Sequence, residues 1–66
     1  KEEVVVSFII DTAGYVTNVN VLRGVNPKYD LEAIRVIEML PRWTPGKVNG
    51  KPVNVSFVYP IEFNPQ

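Results

Sequence analysis

The sequence predicts an α+β fold: a three-stranded antiparallel/mixed sheet, order second-first-third, with one helix packed on one face and the chain order β-β-α-β. Three observations carry that expectation. Two segments near the N-terminus and one near the C-terminus place apolar residues at every second position, which is the strand period. The segment between them repeats its apolar residues at helical spacing, and turn formers (Gly, Pro, Asn, Asp) punctuate every junction.

In the first strand, Val4 to Ile10, the residues Val4, Val6, Phe8 and Ile10 point one way and Val5, Ser7 and Ile9 the other. The run Asp11-Thr12-Ala13-Gly14 is turn chemistry, so Val16 to Arg23 returns antiparallel as the second strand. Val19 and Val21 face inward there, and Asn18 and Asn20 outward. Val16 has the parity of the asparagines, which predicts either local packing near the turn or a bulge that re-phases the strand. Asn26-Pro27 interrupts the pattern. Asp30 is then placed to cap a helix from Leu31 to Leu40, with Ala33, Ile34, Ile37 and Leu40 as its apolar stripe, and Pro41 ends it. Val53, Val55, Phe57, Tyr59, Ile61 and Phe63 alternate with Asn54, Ser56, Val58, Pro60 and Glu62 to form the third strand. A single helix of ~15 Å returns the chain to its starting end, so the third strand runs parallel to the second. It can pair antiparallel only on the free side of the first, which gives the order second, first, third.

A chain of 66 residues is one small domain, burying only about 60% of the surface its unfolded form exposes. Without cysteine or histidine, its stability must come from packing. Seven basic and seven acidic residues cancel, so no overall field draws it to nucleic acid or to an anionic membrane. Arg42, Lys47 and Lys51 lie close together with no acid between them, which reads first as a solvated turn. No apolar run is long enough to span a bilayer. Nucleophilic and metal-dependent catalysis lack their usual side chains, and Asp11, Asp30, Glu32, Glu38 and Glu62 each have a structural explanation. The expectation is no enzyme, no catalytic residue, no metal site and no cofactor. Pro45-Gly46 with Asn49-Gly50 does not make a phosphate loop, because a strand follows it rather than a helix.

Pro60 bears on function. Proline cannot donate to a ladder, so it marks an edge strand, a bulge or the end of pairing. If it points away from the first strand, then Asn54, Ser56 and Val58 also direct their backbone groups outward. The expected partner-binding segment is therefore Asn54, Val55, Ser56, Phe57 and Val58. The alternative is that pairing ends beyond Tyr59 and leaves no functional edge.

The most distinctive stretch is Pro41-Arg42-Trp43-Thr44-Pro45-Gly46-Lys47-Val48-Asn49-Gly50-Lys51-Pro52-Val53. Its prolines fix φ and its Asn49-Gly50 is a strong tight-turn signal. Trp43, directly after the helix, is expected to fold back onto the core. Together with Val4/Val6/Phe8/Ile10-Asp11, Gly14, Val16, Val19/Val21, the helix and the Pro60-Ile61-Glu62-Phe63 ending, this stretch resembles the TonB C-terminal domain family over essentially the whole chain. The resemblance implies the periplasmic domain, residues 1–66, of an energy transducer that belongs to a longer protein tethered to the inner membrane by an upstream segment. It further implies motor proteins contacted through that upstream region, and an outer-membrane active transporter whose N-terminal peptide box adds a strand to the sheet. Many members carry another helix before the first strand, and this sequence starts too late to contain it. A second function class stays open, a structural or sensory domain of the same fold acting in dimerisation or cell-wall contact. A homodimer through the exposed edge or through the mixed face that bears Val5 and Ile9 is open as well.

Overall fold

The computed structural model describes residues 2–64. Its elements are β1 (Glu2–Ile10), β2 (Val16–Arg23), α1 (Pro27–Glu38), β3 (Gly46–Val48), β4 (Lys51–Val53) and β5 (Val55–Phe63). The main sheet has the order β2-β1-β5 with both pairings antiparallel, and β3 and β4 form a separate hairpin. The α+β class and the strand order follow the sequence expectation, with the sheet antiparallel throughout.

The core is one face of β1 meeting one stripe of α1. Val4, Val6, Phe8 and Ile10 are all buried, as are Ala33 and Ile37 of the helix. Each such side chain contributes roughly 1.5–3 kcal/mol of transfer free energy, less for alanine. Val16, Val19, Val21, Tyr29, Leu40, Ile61 and Phe63 close in around them. Val16 joins this set because β2 is bulged. Its pairing shifts between Asn20↔Ser7 and Thr17↔Ile9, and Asn18 sits in the left-handed region at φ 52°. The extra residue turns Val16 to the core side, opposite Ile10.

Three boundaries differ from the sequence expectation. α1 begins a turn earlier than Leu31, and Asp30 is not its cap. Asn26 caps it instead: the Tyr29 N–H donates to Asn26 Oδ1 at 3.0 Å, with Pro27 at the first helical position. There a missing N–H has no consequence and the fixed φ suits the helix. Asp30 lies in the first turn, and its carboxylate accepts from the Val25 N–H at 2.9 Å. The helix ends at Glu38, and the Leu40 N–H donates to Ile37 O in a tighter closing turn. The third predicted strand is split at Asn54 into β4 and β5. Pairing with β1 runs without a shift from Ile10↔Val55 through Val5↔Pro60 to Glu2↔Phe63. Pro60 therefore does not end it.

The link from α1 to β3 is fixed against the β1–β2 turn. Within that turn the Ala13 and Tyr15 N–H groups both donate to Asp11 Oδ1 at 2.9 Å. The Trp43 N–H donates to Gly14 O at 2.8 Å, Arg42 Nε donates to Ala13 O at 2.7 Å, and the Arg42 guanidinium lies 5.0 Å from the centre of the Tyr15 ring. Gly14 is buried at φ +91°, and a β-carbon there would overlap the Trp43 carbonyl. Gly14→Ala is expected to cost at least ~2 kcal/mol, since it adds left-handed strain to a backbone clash. Asn26→Ala should cost ~1 kcal/mol through the lost cap. Urea denaturation of the two variants gives the order directly, and equal midpoints would contradict it.

Candidate functional site

The candidate site is the outer edge of β5, and backbone parity decides what it offers. In an antiparallel ladder each residue directs its N–H and C=O to one side, and the side alternates along the strand. The Thr17 hydroxyl donates to Ile9 O at 3.3 Å, which places the carbonyls of odd-numbered β1 residues on the β2 side. The even-numbered ones, Val4, Val6, Phe8 and Ile10, then serve β5. Their partners are Ile61, Tyr59, Phe57 and Val55. The even-numbered residues of β5, Ser56, Val58, Pro60 and Glu62, thus turn their backbone groups outward. Val5↔Pro60 falls at a position where no N–H is required.

The hairpin obeys the same rule. Asn49 and Gly50, at φ 52° and 79°, form the two-residue turn between Val48 and Lys51. Such a turn closes with a hydrogen-bonded pair, so Lys51 and Val53 face β3, and Pro52, opposite Lys47, faces away. Alternation carried through Asn54 sets β3 on the same side of the line as β1, end to end with it. The longest dimension of the molecule, 46 Å, matches a nearly continuous extended run from Lys51 to Phe63, about 43 Å at ~3.3 Å per residue. Its outer edge presents Pro52, Asn54, Ser56, Val58, Pro60 and Glu62. Two prolines bracket three successive donors, the N–H groups of Asn54, Ser56 and Val58.

Of the five residues expected from sequence, Asn54, Ser56 and Val58 lie on this edge with exposed side chains. Val55 and Phe57 direct their backbone groups to β1 and their side chains to the helix side of the sheet. Asn54 is the junction between β4 and β5 rather than part of either strand. The even-numbered side chains occupy the face away from the helix, where Ser7, Ile9, Asn18, Asn20, Ser56 and Val58 line a shallow depression of mixed polar and apolar character.

Sequence reasoning missed a groove on the helix side. α1 packs over β1 and β2 and leaves β5 largely uncovered, so Phe57 is 37% exposed and Tyr59 57%. Between α1 and β5 lies an apolar groove of about 540 Å³, with Val36, Leu40, Trp43, Tyr59, Pro60 and Ile61 in its walls. Trp43 is not buried as expected. It is 39% exposed, leans on the Phe57 ring at 5.7 Å and forms one wall of the groove. The sequence signal for this was the all-apolar odd face of the last strand, longer than one short helix can cover. Arg42 is engaged by the β1–β2 turn, so it does not form a free basic cluster with Lys47 and Lys51. On the exposed face of α1 the Arg35 guanidinium hydrogen-bonds Glu32 and holds its carboxyl below the usual carboxylate range.

A strand edge with an uncovered apolar groove beside it can bind an extended chain, and nothing in it activates a nucleophile or moves a proton. The family model for the Gram-negative bacterial TonB protein C-terminal domain matches residues 3–65. The chain belongs to this family. Membership makes it a non-enzymatic protein-interaction domain of the periplasm, associated with energy transduction. No curated protein and no solved structure matches the chain. No helix among the described residues is long and apolar enough to cross a membrane.

Because more than a third of Trp43 remains in solvent, Trp43→Ala is expected to cost ~2 kcal/mol, below the ~3–5 kcal/mol typical of a fully buried ring. Thermal unfolding measures it, and a loss of ~3–5 kcal/mol would mean the ring is a core residue.

Proposed function

We propose that this domain couples inner-membrane proton motive force to outer-membrane active transport by accepting an extended transporter peptide as a fourth strand on the β5 edge. The observation that carries the reading is the bracketed ladder of Asn54, Ser56 and Val58, unpaired and exposed on an edge whose inner register is unbroken. Backbone pairing supplies the affinity in this mode of recognition, and alternate side chains supply the selectivity. The reading includes an upstream inner-membrane tether and motor proteins acting through it, which the family resemblance implies.

The magnitudes favour a weak, reversible contact. Three donors with the matching carbonyls make a handful of bonds worth ~0.5–1.5 kcal/mol each, while association costs at least ~4 kcal/mol. Tethering at facing membranes raises the effective concentration, so repeated engagement and release does not require high intrinsic affinity.

Ser56→Pro removes the central outward donor and leaves the bonds to β1 in place. Stability is expected to change by less than ~1 kcal/mol, and binding of a transporter N-terminal peptide to fall below detection. Unchanged peptide-induced shifts of the Asn54 and Val58 amides in the variant would rule out strand addition here. A second copy of the chain is the competing occupant of the same edge. Sedimentation of the unliganded domain over a concentration series identifies it by a mass that rises in the native chain and not in Ser56→Pro.

A further inference from the structure

The apolar groove between α1 and β5 has a pair of aromatic rings at each end, and the two pairs are held differently. At one end Tyr29 stacks on Phe63, and both residues belong to regular elements. At the other Trp43 leans on Phe57, and Trp43 belongs to no helix or strand. It sits in an irregular link, residues 40–45, between α1 and β3.

The backbone of that link is pinned to the β1–β2 turn. The Trp43 N–H donates to Gly14 O at 2.8 Å, Arg42 Nε donates to Ala13 O at 2.7 Å, and the Arg42 guanidinium lies 5.0 Å from the centre of the Tyr15 ring. Pro41 and Pro45 fix φ on either side and restrict the residues before them, Leu40 and Thr44. The torsions of Arg42 and Trp43 are therefore the soft part of the link, and these are the two residues that the turn holds.

Beside the pinned ring lies apolar space that it does not fill. The groove measures about 540 Å³, with Val36, Leu40, Tyr59 and Ile61 in its walls. Trp43 is 39% exposed and Tyr59 57%. Tyr59 is two residues beyond Phe57 on the same face of β5, about 7 Å further along the strand. The indole covers it only if the link leaves the turn. Such a move exchanges two hydrogen bonds and one cation–π contact, each weak at an exposed position, for burial of apolar surface on two rings. The opposing contributions are of similar size, so the position of the ring is a two-state property that one side chain can tip.

We propose that the contact of Arg42 and Trp43 with the β1–β2 turn is a strap that holds the groove open, and that release of Arg42 lets the Trp43 ring close over Tyr59. By linkage, whatever fills the groove favours the latched state, and whatever competes with Arg42 for the turn opposes filling. The device does not depend on strand addition at the β5 edge.

Trp43 is the only tryptophan, so its fluorescence in the 66-residue chain reports the position of the ring. Arg42→Ala is expected to shift the emission to the blue, reduce quenching by acrylamide and strengthen the nuclear Overhauser contact between the Trp43 and Tyr59 rings. Tyr15→Leu, which keeps both hydrogen bonds, should shift the emission in the same direction by less. Adding Tyr59→Ala to Arg42→Ala should abolish the blue shift, because the surface that the ring closes on is gone. A red shift with stronger quenching in Arg42→Ala would show the ring swinging into solvent, and unchanged emission would show that the turn does not set its position. Either result overturns the proposal. If Arg42→Ala loses the native far-ultraviolet dichroism, Tyr15→Leu decides alone: a blue shift supports the strap and its absence overturns it.

Discussion

β1 has a strand on each side, and its alternation constrains the rest of the domain. Its even-numbered side chains are all buried under α1 while their backbone groups serve β5, and its odd-numbered backbone groups serve β2. Both outer strands are thereby left with a free edge, but the two edges are unlike. β2 carries two register shifts and a left-handed Asn18, which bend and twist its edge. Irregularity of this kind protects an edge against further pairing. β5 keeps perfect register over nine pairs with β1. One edge is blunted and the other is straight, and this asymmetry exists before any side chain is considered.

The position of α1 sets the second half of the site. Only twelve residues long, it covers β1 and β2 and stops short of β5. Aromatic contacts partly replace the missing cover: Phe57 stacks on Phe8 at 5.6 Å and touches Trp43 at 5.7 Å, while Tyr29 stacks on Phe63 at 4.9 Å. Such pairs add ~0.5–1.5 kcal/mol beyond their area. They hold β5 at both ends and leave its middle, around Tyr59, open. The groove follows from a helix too short for the sheet. The latch of Arg42 and Trp43 on the β1–β2 turn then directs the chain into β3 along the line of β1.

The three strands of the main sheet, a bulge as one of two readings of Val16, and the Asn49-Gly50 turn were legible because period-two alternation and positive-φ residues are local signals. The helix start was misread because Asn26-Pro27 is ambiguous: the same dipeptide breaks a strand and opens a helix, and only the Tyr29 N–H bonded to Asn26 shows which role applies. Trp43 was expected in the core because size and apolarity favour burial. How far it is buried depends on how much of β5 the helix reaches, which is a tertiary quantity. The outward parity of Asn54, Ser56 and Val58 was one of two readings that Pro60 offered, the other being an end of pairing beyond Tyr59, and the unbroken register with β1 decides between them. The second bracket, Pro52, has the same parity and was visible in the sequence, but its meaning required β4 and β5 to lie on one line.

The spacing of the two prolines limits every occupant of the edge in the same way. Pro52 and Pro60 lie symmetrically about Ser56, so an antiparallel second copy centred there would set proline against proline and Asn54 against Val58. All three donors would then be satisfied in both copies, with no N–H lost at the flanks. A peptide partner must use those same three donors, since the prolines offer none to either side. Self-pairing and peptide capture would therefore exclude one another at this edge, and any stability gained by a dimer would be subtracted from the apparent affinity for a peptide. Register is confined for the same reason: a slip by two residues in either direction places a proline where a donor is needed. Pro52 and Pro60 thus interrupt the row of outward donors and restrict the register of any strand added to the exposed edge.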